Sequence, residues 1–206
     1  MIRLPAAIDQ PDCVFVEDIA VVGPDFAMIT NPGAVSRRAE IETVAAALAA
    51  HRDIHRISDS ATIDGGDVLQ VGRTIWVGRT ARTNEAGIES LRSIVAPLGY
   101  RVHPTDVRGC LHLKSAVTAA GPNTVVLDPT KIKAAAFDGL EVIEVYPEEP
   151  SAANVLQLAD VTVVPAECPR TRDRLEQRGI PTCEIDMSEL AKAEGALTCG
   201  SILFEA

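Results

Sequence analysis

The sequence predicts an α/β fold built from repeated units of strand, strand, helix and strand. Two observations predict it. Four pairs of short apolar runs are each separated by turn residues such as Gly-Pro-Asp or Gly-Arg, a pattern typical of β-hairpins. The pairs also resemble one another, since residues 68–70 and 155–157 both read Val-Leu-Gln. Their first strands begin about 40–50 residues apart, a period typical of repeat architectures.

Each unit has a predicted place in the chain. The hairpins are predicted over residues 19–22 with 26–30, 68–71 with 74–78, 116–119 with 124–127, and 155–158 with 161–164. The third strands are predicted over residues 54–57, 100–103, 140–145 and 182–185. The helices are predicted over residues 36–50, 83–96, 130–137, 170–178 and 188–193, with Ser36 and Ser188 as N-caps.

A fifth unit is incomplete in the sequence. Residues 201–204 predict its first strand, but no partner strand follows, and residues 1–4 resemble the end of a unit. We therefore interpret residues 1–206 as a single domain of about four and a half repeats. If the fold is a ring of repeats, this incomplete unit would leave strand edges exposed, which predicts self-association through the gap.

Composition argues against several classes of protein. The net charge of −10 disfavours general nucleic-acid binding, which needs a basic face. No apolar run approaches the roughly 20 residues of a membrane-spanning helix. The five cysteines form no CxxC pair, and no secretory signal is recognisable, which favours reduced thiols in the cytoplasm.

Metal binding is not expected. His51 and His55 have the i,i+4 spacing that can place two ligands on one helical face. They lie among charged residues where a predicted helix ends, so we interpret them as a solvated helix end.

Residue types used in catalysis stand just before the first strands of several units. Cys199, between Thr198 and Gly200, precedes residues 201–204; His112 and Asp64 precede the first strands of their own units. If these strands converge, a thiol, an imidazole and a carboxylate meet, which suits attack on a cationic carbon. Taken singly, each residue also fits a structural role, as a small buried hydrophobe, a structural histidine or a turn aspartate.

Charged residues at comparable places predict the shape of a ligand. Asp12, Glu17 and Asp18 are three acids within seven residues of an apolar strand region, where buried carboxylates need a cationic partner. Arg37 and Arg82 each follow a hairpin and could hold a carboxylate with two hydrogen bonds. Solvated strand and helix ends are the alternatives. Together these residues describe a zwitterionic amino acid with a charged tail.

At these residues the chain resembles the dimethylarginine dimethylaminohydrolases, members of the guanidine-modifying (pentein) superfamily. Six stretches carry the resemblance, in the family's order and near its spacing. They are residues 11–18 (PDCVFVED), 32–38 (PGAVSRR), 64–69 (DGGDVL), 81–84 (ARTN), 111–115 (LHLKS) and 197–199 (LTC).

The resemblance implies a fold, a reaction and roles for individual residues. The fold is a five-bladed β/α propeller of ββαβ units around a substrate channel. The reaction is hydrolysis of Nω-methylated arginine to citrulline, with Cys199 as nucleophile, His112 as proton donor and Asp64 in the third catalytic position. Asp12, Glu17 and Asp18 would bind the cation, Arg37 and Arg82 the α-carboxylate, and Ala193 would offer a backbone carbonyl. No cofactor is implied.

The chain also departs from the family. Family members carry roughly 50 further N-terminal residues, about one repeat period, including a mobile loop over the substrate. Position 200, where the family varies, is Gly here. Two alternatives therefore remain: a related deiminase acting on arginine or agmatine, and a truncated, inactive pentein serving as a binding module.

Overall fold

Four three-stranded sheets follow one another along the chain, and in each the second strand lies in the middle. In every sheet the first and second strands are antiparallel, whereas the second and third are parallel. The computed structural model describes residues 1–205. Its strands are β1 Ala20–Val22, β2 Ala27–Ile29, β3 Ile54–Arg56, β4 Val68–Val71, β5 Thr74–Arg79, β6 Arg101–Asp106, β7 Val117–Gly121, β8 Thr124–Leu127, β9 Glu141–Glu144, β10 Leu156–Leu158, β11 Val161–Pro165 and β12 Thr182–Ile185. These positions confirm the predicted hairpins and third strands.

Helical segments provide the crossovers that parallel second and third strands require. The α-helices are α1 Ile41–Leu48, α2 Glu85–Val95, α3 Pro169–Glu176 and α4 Ser188–Ala191. The side chain of Asn84 caps α2 by accepting a hydrogen bond from the Gly87 N–H at 2.8 Å. One face of α2 then buries Ile88, Leu91 and Val95 against the sheet core.

Two of the predicted helices differ from the structure. Within residues 36–50, a 3-10 helix at Val35–Glu40 precedes α1; within residues 130–137, only a 3-10 turn at Ala134–Phe137 forms. The predicted N-caps were wrong as well. Ser36 lies inside the 3-10 helix, and Ser188 is the first residue of α4, its N–H bonded to the Asp186 carboxylate at 2.8 Å.

The predicted strand over residues 201–204 was also wrong. These residues form no ladder with any strand described between residues 1 and 205. Ile202 and Phe204 instead pack against the apolar cluster that contains Ile19 and Val44. A strand needs a partner for its N–H and C=O groups, and side-chain burial without that partner gives an irregular segment.

The cores lie between neighbouring units. Val21 and Met28 of the first unit pack with Ile75 of the second, and Leu69 of the second packs with Val125 of the third. The first strands of all four units, with residues 201–203, line one central cavity of about 220 Å³. The first strands therefore converge as predicted. Over residues 1–205, no helix has both the length and the apolar character needed to cross a membrane.

Candidate active site

Short 3-10 turns lead into the first strands and carry the predicted site residues to the centre. Val16–Ile19 leads into β1, Gly65–Asp67 into β4 and Leu113–Ser115 into β7. The second turn passes very close to its neighbours. A Cβ on Gly66 would lie 2.8 Å from His112 Nδ1 and 2.9 Å from Asp18 Oδ1. Glycine at this position is therefore required for the imidazole and the carboxylate to approach.

His112 lies between two buried carboxylates. Its Nε2 is 3.0 Å from Asp64 Oδ2 and 3.9 Å from Asp18 Oδ1. The Gly33 N–H donates to the other oxygen of Asp64 at 2.8 Å, which fixes that carboxylate. Burial disfavours the imidazolium, but the hydrogen bond to Asp64 and the nearby acidic charges outweigh it, so the pKa of His112 is raised. The histidine can therefore hold a proton for transfer.

Asp18 and Arg37 form a buried ion pair beside this histidine. The Gly66 N–H donates to Asp18 Oδ1 at 3.0 Å, and Arg37 binds the other oxygen. The Arg37 guanidinium also donates to Glu40, at 3.0 and 2.7 Å, and to the Phe15 carbonyl at 2.7 Å. Its pKa is raised because Glu40 and Asp18 together outweigh the effect of burial. In this structure Arg37 is the counterion of Asp18 and Glu40.

Glu17 links the segment that carries the cysteine to the rest of the site. Its N–H donates to the Cys199 carbonyl at 3.1 Å. Its carboxylate accepts from Lys114 Nζ at 2.6 Å and from the Thr198 hydroxyl at 2.7 Å. Asn154 holds the same threonine through hydrogen bonds of 3.0 Å to its hydroxyl and its N–H. Backbone and side-chain bonds thus fix the position of the thiol.

The environment of Cys199 favours the neutral thiol in the unliganded protein. Burial raises the pKa of Cys199, and the negative charges of Glu17 and Asp18 raise it further. The Ala196 N–H group and Lys114 act in the opposite direction but do not outweigh them. A cation placed between the thiol and these acids would reverse the balance and favour the thiolate.

We expect alkylation of Cys199 by iodoacetamide to be slow at neutral pH, because only the thiolate reacts. The rate should increase with pH, with a midpoint above that of N-acetylcysteine. Mass spectrometry of the peptide that contains Cys199 gives the rate at each pH. A midpoint at or below the reference thiol would contradict this account of the site.

Three predicted site residues lie farther from this cluster or show no contact with it. Asp12 is exposed, and only its backbone carbonyl contacts Arg37, at 3.2 Å. Arg82 is half-buried, and its guanidinium makes no hydrogen bond or ion pair with residues 1–205. Ala193 is exposed in the turn after α4. Their predicted roles toward a substrate stay predictions.

Sequence reasoning missed the residues that support the cysteine. Lys114 stands within one of the six quoted stretches, and Asn154 stands just before β10, where other units place polar residues. The position of Asn154 in the repeat was therefore a usable signal. Nothing in the sequence indicates that Glu40 would share Arg37 with Asp18, because that contact depends on the 3-10 helix at Val35–Glu40.

Three residues at the centre offer atoms of the type that bind metal ions. One ligand-type atom from each of Asp18, Asp64 and His112 lies within 4.8 Å of the others. The same spacing places a histidine between carboxylates that hold its proton, and Asp18 is already paired with Arg37. The absence of a metal or other cofactor from the reaction stays a prediction.

Comparison with known proteins agrees with this geometry. Over 204 residues the chain is 41% identical to the N(G),N(G)-dimethylarginine dimethylaminohydrolase of Streptomyces coelicolor, covering 98% of this chain and 78% of the relative. A citrulline complex of a mutant of the Pseudomonas aeruginosa enzyme superposes with a TM-score of 0.89 at 30% identity, covering 94% of this chain and 76% of that one. The N-terminal domain of a cyanobacterial arginine dihydrolase has a TM-score of 0.85 at 17% identity and supports the fold alone. No family model matches the chain.

The ββαβ units and the likeness to dimethylarginine dimethylaminohydrolases define this protein as a pentein, a cysteine-dependent enzyme that acts on guanidinium C–N bonds. Within this class, the identity to the Streptomyces protein over nearly the whole chain decides the family. The chain belongs to the dimethylarginine dimethylaminohydrolases.

Proposed function

We propose that this protein hydrolyses Nω-methylated arginine to citrulline and methylamine or dimethylamine through a covalent intermediate on Cys199. The observation that carries the proposal is the His112–Asp64 pair, 3.0 Å apart, together with a half-buried thiol at Cys199 on which the charges of Glu17 and Asp18 act. The substrate named by the Streptomyces relative and the citrulline bound to the Pseudomonas one are the expected substrate and product.

The first half of the reaction forms the intermediate. The guanidinium of the substrate brings a positive charge beside Cys199, Glu17 and Asp18, which favours the thiolate, and the proton of the thiol passes to solvent. The thiolate sulfur attacks the guanidinium carbon and forms a C–S bond. The bond from that carbon to the methylated nitrogen breaks, and His112 gives its proton to the departing amine. A thiouronium on Cys199 remains.

The second half releases citrulline. His112, now neutral, accepts a proton from a water molecule that attacks the thiouronium carbon. The C–S bond then breaks, the departing sulfur takes up the remaining proton of the added oxygen to regenerate the thiol, and the new C=O group completes the ureido group of citrulline. Asp64 holds the imidazole in one orientation through both steps, since it is itself fixed by the Gly33 N–H.

The experiment that tests the proposal is citrulline release from asymmetric dimethylarginine, with arginine assayed alongside. We expect turnover of the methylated substrate and little of arginine. Turnover of arginine alone would instead indicate a deiminase. No turnover of either by a folded sample would contradict the proposal and favour a binding module.

Arg82 is the residue we expect to hold the α-carboxylate, because it is half-buried and its guanidinium makes no hydrogen bond or ion pair with the described residues 1–205. Replacing Arg82 by Gln should raise KM about 10–100-fold, the loss of a charge-assisted hydrogen bond, and change kcat much less. The measurement compares dimethylarginine with its α-carboxamide. The native protein should prefer the acid, and the variant should lose that preference.

Arg79→Gln is the matched control, because Arg79 is an exposed arginine three residues away that pairs with Glu85. It should leave KM for both compounds unchanged. An Arg82→Gln variant that still prefers the acid would assign the carboxylate to another group. Arg37 would then be the candidate, although it would have to release Asp18 or Glu40.

We also propose that the protein associates with itself, resides in a reducing compartment, and has neither nucleic acid nor a membrane as a partner. Self-association through the edge near residues 201–204 rests on the absence of a ladder there among the described strands. A reducing compartment such as the cytoplasm rests on the five free thiols. Nucleic acid and membranes are not expected as partners, on the basis of the net charge of −10 and of the apolar pattern.

A further inference from the structure

Asp67 is a buried carboxylate that takes no part in the reaction steps described above. It ends the 3-10 turn Gly65–Asp67, and 0% of its surface is exposed. Burial raises the pKa of Asp67. A buried carboxylate is costly unless its oxygens are hydrogen-bonded, so its partners indicate its purpose.

The partners of Asp67 belong to two functional segments. Its Oδ1 accepts the N–H of Leu113, the residue after His112, at 2.9 Å. Its Oδ2 accepts the hydroxyls of Thr80 and Thr83, both at 2.6 Å. These threonines lie on either side of Arg82. All three partners are donors, so the charged form of Asp67 is the one that they bind.

The hydrogen bonds of these two threonines extend to the backbone of Arg82 and Asp64, two residues of the candidate site. The Arg82 N–H donates to the Thr80 hydroxyl oxygen at 3.1 Å, and the Asp64 N–H donates to that of Thr83 at 3.3 Å. Asp67 fits only because residue 78 is glycine, since a Cβ at that position would lie 2.8 Å from Asp67 Oδ1. One carboxylate thus connects the segments of the histidine, its aspartate partner and the free arginine.

We propose that Asp67 is a positioning residue that fixes the His112 segment and the Arg82 segment relative to each other. It would thereby set the distance between the proton donor and the cation that holds the α-carboxylate. The inference rests on the proposed function, in which Arg82 holds the α-carboxylate of the substrate. A positioning residue acts through others, so removing it should change both binding and proton transfer.

The charge of Asp67 should also act on His112. The acids that face this histidine are Asp64, Asp18 and Asp67, and each raises its pKa. Asp67→Asn removes one negative charge, so the imidazolium is less favoured and the pKa of His112 should fall. An amide keeps only one acceptor oxygen, so if that oxygen stays on the Leu113 N–H, both threonine hydroxyls lose their acceptor and the Arg82 segment is freed.

The test uses the full chain with Asp67→Asn, and Glu149→Gln as the matched control. Glu149 is also a buried carboxylate that binds backbone groups. It accepts hydrogen bonds from the N–H groups of Arg170 and Thr171 at 3.0 and 2.7 Å. We measure kcat and KM for asymmetric dimethylarginine and titrate His112 by NMR. Asp67→Asn should lower kcat/KM about 100-fold, as small misplacements of reacting groups do, and lower the His112 midpoint. Glu149→Gln should leave the midpoint unchanged.

A second variant keeps the proposal testable if Asp67→Asn does not fold. Thr80→Val removes one hydroxyl but no charge, so it should raise KM and leave the His112 midpoint in place. The proposal is overturned if the midpoint is unchanged in Asp67→Asn and kcat/KM falls no further than in Glu149→Gln. An unchanged KM in Thr80→Val would also overturn it. The NMR titration needs no turnover, so failure of the proposed function, seen as no citrulline from the native protein, is distinguishable.

Discussion

Replacing Cys199 by Ser is expected to abolish citrulline release from dimethylarginine, with a loss of four or more orders of magnitude, about that seen when other enzymes lose their nucleophile. A serine hydroxyl remains almost fully protonated at neutral pH, and His112 is committed to the leaving amine rather than to activating a nucleophile. The variant should fold normally, because the backbone bonds of Cys199 to Glu17 and Ala196 do not involve sulfur.

The measurement is citrulline formation, together with thermal unfolding of the same samples. Cys183→Ser is the control, since this thiol is exposed on β12 and lies outside the site. It should retain native activity. Mass spectrometry during turnover should show a covalent adduct on Cys199 of the native protein and none on the serine variant. Substantial turnover by Cys199→Ser would eliminate the nucleophile assignment.

Replacing His112 by Gln is expected to lower kcat about 1,000-fold, within the range that general acid–base catalysis contributes. Glutamine fills similar space and can keep a hydrogen bond to Asp64, but it cannot deliver a proton to the departing amine. Because the pKa of His112 is raised, the native enzyme keeps its proton donor as pH increases to that pKa and loses activity above it. The variant should lose this dependence.

The pH profile of kcat therefore distinguishes a chemical from a structural role for His112. His103→Gln is the control, because this exposed histidine of β6 stacks on Trp76 away from the site. Its activity and its pH profile should match those of the native protein. A His112→Gln variant with reduced kcat but the native alkaline limb would show that another group donates the proton.

The strands were predictable from sequence because hairpins are local. Residues 68–71 and 74–78 carry their own turn, and the strand boundaries β4 Val68–Val71 and β5 Thr74–Arg79 follow from it. The structure of residues 130–137 was not predictable from sequence. Their run of alanines with Phe137 fits a single 3-10 turn as well as a longer helix. Residues 201–204 failed as a strand because pairing depends on a partner, not on the segment's own sequence.

Part of the candidate site was predictable, because the place of a residue within its repeat predicts where that residue lies in the fold. Placing Cys199, His112 and Asp64 at the starts of first strands was enough to expect them at one end of the ring. What those groups bind was not predictable. The sequence suggests the same role for Arg37 and Arg82, yet only Arg37 has Glu40 within reach of its guanidinium. That difference depends on local helix geometry, which periodicity does not specify.

The bond between the Thr198 hydroxyl and Glu17 joins residues 181 positions apart in the chain. During synthesis, Glu17 is therefore made long before the segment that it holds. Contacts this distant in sequence form late, because a long loop must close before they contribute. A growing chain on the ribosome therefore has no assembled site before the segment of Cys199 has been made, and reactivity toward guanidinium compounds cannot begin earlier.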